Sequence, residues 1–536
     1  MKKILLSTLG IAAMLAFNSC SDDFIDVNKN VNDAYADQVT PKDRLSAAET
    51  VIYRTQANTM NRFGNLMMNA WAGNIYFYAS PYGDEFRMRA DSQFYSGIWD
   101  NLYLGIANYQ AIIDSPMASN YPHHVAIAKI MKAYYMQMIV DLYNDAPYTE
   151  AFKGQDNKHP KYDLGKDIYK GLFAELNQAL VLLQQAPSTT YAVAAAEDPI
   201  FAGVMLNWTR MANTVKLKMA VRLSNCTDPA VIAYRNAELA TLAPLTSNLS
   251  NFIIADVRIQ PGYSNAAVLQ QNPFYTTYGI YDISTQDMST GYRLTFASDH
   301  IIKALRGQLP ETSGTLDNRI NRLFLNNGVT QGFDYLHGIA APTPDPSQMI
   351  GQPQGGLKDA SKNEGSFATL GTFAGFGSPS GGSGLAGYIL TLSEVRFLQA
   401  EAAVVYPTTM AFNAQTMFND GITQSFTTFG AGSATGYLSN IATKPGIGWA
   451  ASTNKIQAIQ YQKWIALTNI NPTETYISYT KTGYPVLPMP QGSYYPSRPK
   501  RLMYAQSEYI SNTANVPNPS VDEMYTINQY SPFWLK

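Results

Sequence analysis

The chain has 536 residues, 38 Lys and Arg against 40 Asp and Glu, a formal net charge of −2, and only two cysteines, Cys20 and Cys226. Near-neutral charge without a polybasic stretch excludes an electrostatic footing for nucleic acid or a second membrane anchor, and two cysteines exclude a disulfide framework or a cysteine-built zinc site. The length exceeds the ~250–300 residues that usually fill one hydrophobic core, a limit that helical repeat architectures pass as a single unit.

In chain order, the first feature is an export signal. Met1-Lys2-Lys3 precedes an apolar run from Ile4 to Phe17 and then Asn18-Ser19-Cys20. The run, about 14 residues, is shorter than the ~18–20 needed to span a bilayer. A cysteine closing such a run predicts a lipoprotein signal over residues 1–19, with lipid (palmitate) on Cys20. A plain secretory signal with an incidental cysteine is the competing reading. Loss of Lys2 and Lys3 takes the charge to −4. Ser21-Asp22-Asp23 looks like the acidic signal that sends some lipoproteins to the cell surface. Residues 20–38, rich in Asn and Asp, read as a flexible tether.

Residues 39–536 read as one mainly α domain. Thr40-Pro41 offers an N-cap followed by proline at the first helical position, and helices are expected over 42–70 and 92–114. Between them lies the aromatic loop WAGNIYFYASPYGDEF (71–86). Ile127, Met131, Tyr134, Met138 and Leu142 draw one apolar stripe that stops at Asn144 and Pro147. Ile168, Leu172, Leu176, Leu180 and Leu183 mark the next helix. NWTRMANTVKLKMAVRLS (207–224) and a shorter helix after Asp228-Pro229 follow. Residues 243–300 are broken by turns, with short β-like runs such as NFIIADVRI. The Gly/Pro/Ser-rich stretch 329–387 is expected to be a structureless excursion. Thr391 and Glu394 are then spaced for a reciprocal capping box. Helices follow near 392–405, 411–428 and 454–468, and an irregular wrap runs from Thr482 onward. Successive antiparallel pairs without a strict 34-residue repeat give an α–α superhelix of tetratricopeptide-like pairs with degenerate units, loop-rich near 243–300 and 329–390.

Five stretches in register resemble the SusD/RagB-like outer-membrane lipoproteins, particularly their second large subgroup. They are DLYNDAPYTEAF (141–152), NWTRMANTVKLKMAVRLS (207–224), TLSEVRFLQAEAA (391–403), IQAIQYQKWIAL (456–467) and TETYISYTKTGYPVLP (473–488). The chain departs where the family often has Trp at Tyr476, Arg at Lys481, and Asp-Pro-Arg at Asp317-Asn318-Arg319. The resemblance implies four tetratricopeptide-like pairs packed against a variable loop-rich part. It also implies a place on the outer membrane facing the cell exterior, as the lid of a SusC-like TonB-dependent barrel, capturing oligosaccharides or sometimes peptides.

Catalytic signatures are missing from the sequence. The five histidines form no His-Glu-x-x-His pattern, and His123-His124 reads as a solvated helix start. There is no Gly-x-Ser-x-Gly elbow and no P-loop. Gly382-Ser383-Gly384-Leu385-Ala386-Gly387 matches the dinucleotide fingerprint, but without a preceding strand or a βαβ unit it reads as coincidence. Glu394 and Glu401 sit about 10 Å apart along one helix, beyond the spacing of a glycosidase pair. No catalysis or cofactor is expected, no metal ligands are assigned, and the scattered acids leave a bound calcium open. Binding is expected at aromatic loops: Trp71, Asn74, Tyr76, Tyr78, Tyr82 and Asp84 in the first, and Phe274, Tyr275 and Tyr278 in NPFYTTYGIYD (272–282). Rings there would stack on a sugar while amides and carboxylates meet its hydroxyls, or the rings would staple loops to helices. A lipid-anchored helical adaptor that binds only protein or peptide is the rival function.

Overall fold

A computed structural model describes residues 39–377 and 382–536. Cys20 and the segments 1–19 and 20–38, which carry the export and tether expectations, lie outside them. The first helix starts where its cap dictates. Thr40 Oγ1 accepts the Asp43 N–H at 3.3 Å, and Asp43 Oδ2 accepts the Thr40 N–H at 3.0 Å, with Pro41 at the first helical position. Helix α1 (Pro41–Thr55) runs through a π turn (Gln56–Met60) into α2 (Asn61–Met67) and lies along α3 (Ser96–Ile113). Gly105 allows that approach, because a Cβ there would come within 2.5 Å of Ile52 Cγ1.

Three further pairs follow: α4 (Pro122–Tyr143) with α5 (Gly165–Leu182), α6 (Met205–Arg222) with α7 (Pro229–Leu242), and α8 (Leu392–Val405) with α9 (Ala414–Phe429). Helices α10 (Lys455–Leu467) and α11 (Pro472–Thr482) pack on each other, and α11 returns onto α2. The predicted stripe on α4 is buried, and so is nearly all of the helix, which makes it the centre of the array. It ends at Asn144, at φ 69°, whose Oδ1 accepts the Phe533 N–H at 2.8 Å and ties the chain end to the core.

The loop-rich regions meet in a small sheet. Strands β1 (Trp71–Gly73), β3 (Thr295–Ala297), β5 (Thr369–Leu370) and β4 (Phe324–Leu325) pair antiparallel in that spatial order, while β2 (Val257–Ile259) pairs with β6 (Gly387–Leu390). The described residues of 329–387 are therefore not structureless. They carry most of a nine-residue helix (Gly328–Leu336) that buries Gly328, Val329 and Gly332, strand β5 and several 3-10 turns. Their Gly and Pro residues punctuate short elements, and Thr369 and Leu370 hold an interior position in the sheet.

Two local expectations are corrected by burial. Thr391 does cap the Glu394 N–H at 3.1 Å, but the Glu394 carboxylate does not reach back; it takes Lys218 Nζ at 2.9 Å and Asn471 Nδ2 at 3.1 Å. His124 is not a solvated helix start. It is fully buried, its Nε2 stands 2.9 Å from Glu197 Oε2, and burial lowers its pKa.

The helices are joined by buried charge. Glu474 of α11 receives Lys218 and Arg222 of α6 and Lys463 of α10, each at 2.8 Å. Arg222 also meets Asp141 of α4 at 3.2 Å, and Asp141 accepts the Tyr169 hydroxyl and the Trp534 indole N–H. Glu401 of α8 pairs with Lys481 at 2.7 Å and accepts from Gln460 Nε2 at 2.8 Å. Burial alone would push the Glu474 carboxyl up, but Arg222, Lys218 and Lys463 together hold it well below the usual carboxylate range. Its ion pairs therefore stabilise fully above the unfolded-state value near 4.5 and are lost as the pH falls through the folded-state value. Glu474→Gln leaves three buried cations short of their anion. It is expected to cost ~3–5 kcal/mol at pH 7, with a shallower fall in stability on acidification than wild type, read by urea titration from pH 7 down to 3.

Candidate functional site

The candidate surface grows from the sheet edge at β1. After Gly73 the chain turns outward because Asn74 is fixed from both ends of its amide. Asn74 Oδ1 accepts the Tyr76 and Phe77 N–H groups, both at 3.1 Å, and Nδ2 donates to Arg293 O at 2.8 Å and Glu364 Oε2 at 3.2 Å. Such an Asx turn replaces backbone partners that a loop otherwise lacks. It lifts Tyr76, Phe77 and Tyr78 out as a ridge.

The ridge rises toward solvent residue by residue. Tyr76 is half-buried against Phe367, and its hydroxyl donates to Asp359 O at 2.9 Å and accepts the Asp359 N–H at 3.0 Å. Phe77 is 41% exposed under the Arg293 guanidinium, 4.1 Å from its ring centroid, and Arg293 is itself held by Glu364 at 2.6 Å. Tyr78 is 60% exposed. Beside the ridge lies a cleft of about 310 Å³ between Gly73–Arg87 on one side and residues 352–357 and 491–492 on the other. Ile75, Pro81 and Phe86 give it apolar walls; Gln352, Gln491 and Arg87 bring the polar groups. Gly355 sits at φ 69°, and a Cβ there would come within 2.2 Å of Gln491 O, so the backbone itself forms that wall.

The other sequence candidates have partners inside the protein. Trp71 is fully buried, donates from Nε1 to Asn469 Oδ1 at 2.7 Å, and meets the Tyr278 ring at a centroid distance of 4.8 Å. Phe274, Tyr275 and Tyr278 are buried on the helix Pro273–Tyr278, where the Tyr275 hydroxyl donates to Phe373 O at 3.2 Å. Tyr82, at φ 57°, has its hydroxyl 2.9 Å from Thr295 Oγ1, and burial raises its pKa to about 12. Asp84 is exposed in the short helix Gly83–Arg87. No local sequence signal marks Arg293, Glu364, Lys358, whose Nζ lies 5.1 Å from the Tyr76 ring centroid, or the Gln352–Gly356 wall. They lie more than 200 positions from the ridge, and only the pairing of β1 with β3 and the Ser298–Gln352 bridge brings them there.

Among the described residues, no group of three or more His, Cys, Asp or Glu could hold a metal ion, and no helix is long and apolar enough to cross a membrane. Glu394 and Glu401 are consumed by lysine pairs in the core.

Paired helices carrying a loop-built aromatic ridge and cleft define a helical-repeat scaffold. The family described as SusD-like, "Starch-binding associating with outer membrane", matches residues 33–286 and 347–505, and the chain belongs to that family. Solved structures agree on the fold. A chitin-binding SusD homolog from Flavobacterium johnsoniae superposes with a TM-score of 0.64 at 19% identity, covering 88% of this chain and 92% of its own. A SusD homolog from Bacteroides uniformis gives 0.65 at 20% identity, covering 94% and 100%, and one from Bacteroides fragilis gives 0.64 at 20%, covering 89% and 94%. No curated sequence matches significantly.

The burial pattern separates framework rings from surface rings. Trp71→Ala and Tyr278→Ala are each expected to lower unfolding free energy by ~3–5 kcal/mol. Tyr78→Ala is expected to stay within ~0.5 kcal/mol of wild type, all measured by chemical denaturation.

Proposed function

We propose that this chain captures oligosaccharides at the cell surface and passes them, chemically unchanged, to a SusC-like TonB-dependent outer-membrane barrel. The observation that carries the reading is the Tyr76–Phe77–Tyr78 ridge, fixed by Asn74 and standing beside a cleft walled by amides and glycine backbone. A pyranose has an apolar face of C–H groups and a rim of hydroxyls. Exposed rings accept the face, and amide groups such as those of Gln352 and Gln491 accept and donate at the rim. Asp84, exposed at the same loop, adds a carboxylate acceptor. The family's starch-binding description and the chitin-binding relative favour a glycan over a peptide. Lipid on Cys20 would hold the protein at the membrane, with residues 20–38 as the tether, and the helical pairs would face the barrel.

Calorimetric titration of residues 21–536 with malto- and chito-oligosaccharides, beside peptides of similar length, tests the reading. Saturable binding of one glycan series is expected, weakened about three- to tenfold by Phe77→Ala and by Tyr78→Ala, with no shortened product. Peptide binding alone, or glycan binding indifferent to both variants, contradicts it. For the anchor, Cys20→Ser is expected to abolish incorporation of an alkynyl palmitate label and to release the protein from the membrane fraction.

A further inference from the structure

A second concavity, sharing no residue with the first, opens where the helix Asp299–Leu305 meets α10 and the turn after α11. It encloses about 220 Å³ and is lined by His300, Glu311, Gln457, Tyr461 and Trp464, with Gly446, Ile447, Pro485 and Val486 completing the wall. Trp464 is 1% exposed and Tyr461 5%, so the floor is part of the core, while Val486 stands well exposed at the rim.

What distinguishes this cleft is its polar groups. The indole N–H of Trp464 is buried and finds no acceptor in the protein. The side chains of His300, Glu311, Gln457 and Tyr461 likewise make no hydrogen bond to another residue, although His300 packs its ring 5.8 Å from that of Trp464. Buried polar groups in native proteins are almost always partnered, so the buried Trp464 N–H, beside three partly exposed side chains and a tyrosine hydroxyl that bond to no other residue, marks a place where an outside molecule completes the bonding. A larger cleft of about 540 Å³ between the α4–α5 and α6–α7 turns offers a contrast. There Lys166 pairs with Asp228 at 2.9 Å, Asp145 accepts the Gly165 N–H at 2.8 Å, and Lys536 donates to Gln529 O at 2.7 Å, so its charges are already met.

We propose that the Trp464–Glu311 cleft is a second binding site, which takes one neutral sugar ring. Its size, below the ~300–1,000 Å³ of sites that enclose drug-sized ligands, admits a single ring and not a chain. Its polar groups mix a donor only (indole N–H), an acceptor only (carboxylate) and groups that do both (amide and phenol). Hydroxyls, which donate and accept, satisfy such a mixture, whereas an ammonium or a carboxylate satisfies half of it. No cation lines the cleft, which disfavours an anion. His300 stays neutral because burial and the nearby Arg498 guanidinium lower its pKa to about 4, so one ring nitrogen remains an acceptor at neutral pH.

The test uses the soluble chain 21–536 and three monosaccharides, D-glucose, N-acetyl-D-glucosamine and D-galactose, each to about 50 mM. Indole N–H resonances are followed in a protein labelled with 15N at tryptophan, with Trp464→Phe identifying the Trp464 signal. The expected result is a saturable shift of that signal with at least one sugar. Glu311→Ala and Gln457→Ala, both at partly exposed positions, are expected to weaken it about tenfold, and Tyr78→Ala to leave it unchanged. If Trp464→Phe does not fold, loss of the response in Glu311→Ala identifies the site in its place. No shift with any of the three sugars overturns the proposal. So does a response that survives both Glu311→Ala and Gln457→Ala, and so does one abolished by Tyr78→Ala, which assigns the binding to the ridge.

Discussion

A carboxylate sealed among helices is costly unless cations surround it, and Glu474 is surrounded by three, from two other helices. That requirement fixes more than one contact. Lys218 and Arg222 lie one turn apart on α6, so satisfying Glu474 sets the rotation of α6 against α11, and the same two cations reach Glu394 on α8 and Asp141 on α4. Five helices are thereby registered around a handful of charges. The apolar stripes drive the helices together, but such stripes tolerate sliding. Charges that must meet within hydrogen-bond distance do not.

The same charges explain the resemblance to the SusD/RagB-like proteins. Asp141, Lys218 with Arg222, Glu394 with Glu401, Lys463, and Glu474 with Lys481 each come from a different one of the five stretches that carry it. Those stretches describe how the helical pairs are joined. The ridge at 76–78 is not in them. Lys481, where the family often has Arg, still reaches Glu401 at 2.7 Å and Val221 O at 2.6 Å, so the exchange keeps the pairing. Arg319 of Asp317-Asn318-Arg319 is likewise buried, held by Asp317 at 2.6 Å and by Gln462 Oε1 at 2.9 Å. The ridge and its cleft stand on segments outside those five stretches, where a binding surface is free to vary while the scaffold is kept.

Much of the helical frame was legible in the sequence because it follows from periodicity and caps, which are local. Thr40-Pro41, Asp228-Pro229 and the α4 stripe act within one or two turns. Burial of polar and aromatic residues was not legible, because it depends on partners far away in the chain. His124 waits for Glu197, Glu394 for Lys218, and Trp71 for Asn469. Aromatic density was an ambiguous signal for the same reason. A tyrosine in a polar segment is as well served by a backbone carbonyl, as Tyr275 is by Phe373 O, as by a sugar. Of the first aromatic loop, Tyr76, Phe77, Tyr78 and Asp84 reach the surface. The cleft beside them needed the β1–β3 pairing and the 352–357 wall, which no local pattern announces.

On the proposed function, a charge-registered helical frame presents a glycan-binding surface at the ridge and its cleft. Hydrogen–deuterium exchange of the soluble chain, with and without a saturating oligosaccharide, tests it most directly. Slowed exchange is expected in peptides covering 73–87 and 352–364, with no change in α4, α6 or α11. Protection confined to the helical pairs, or none at 73–87 under saturation, would contradict it.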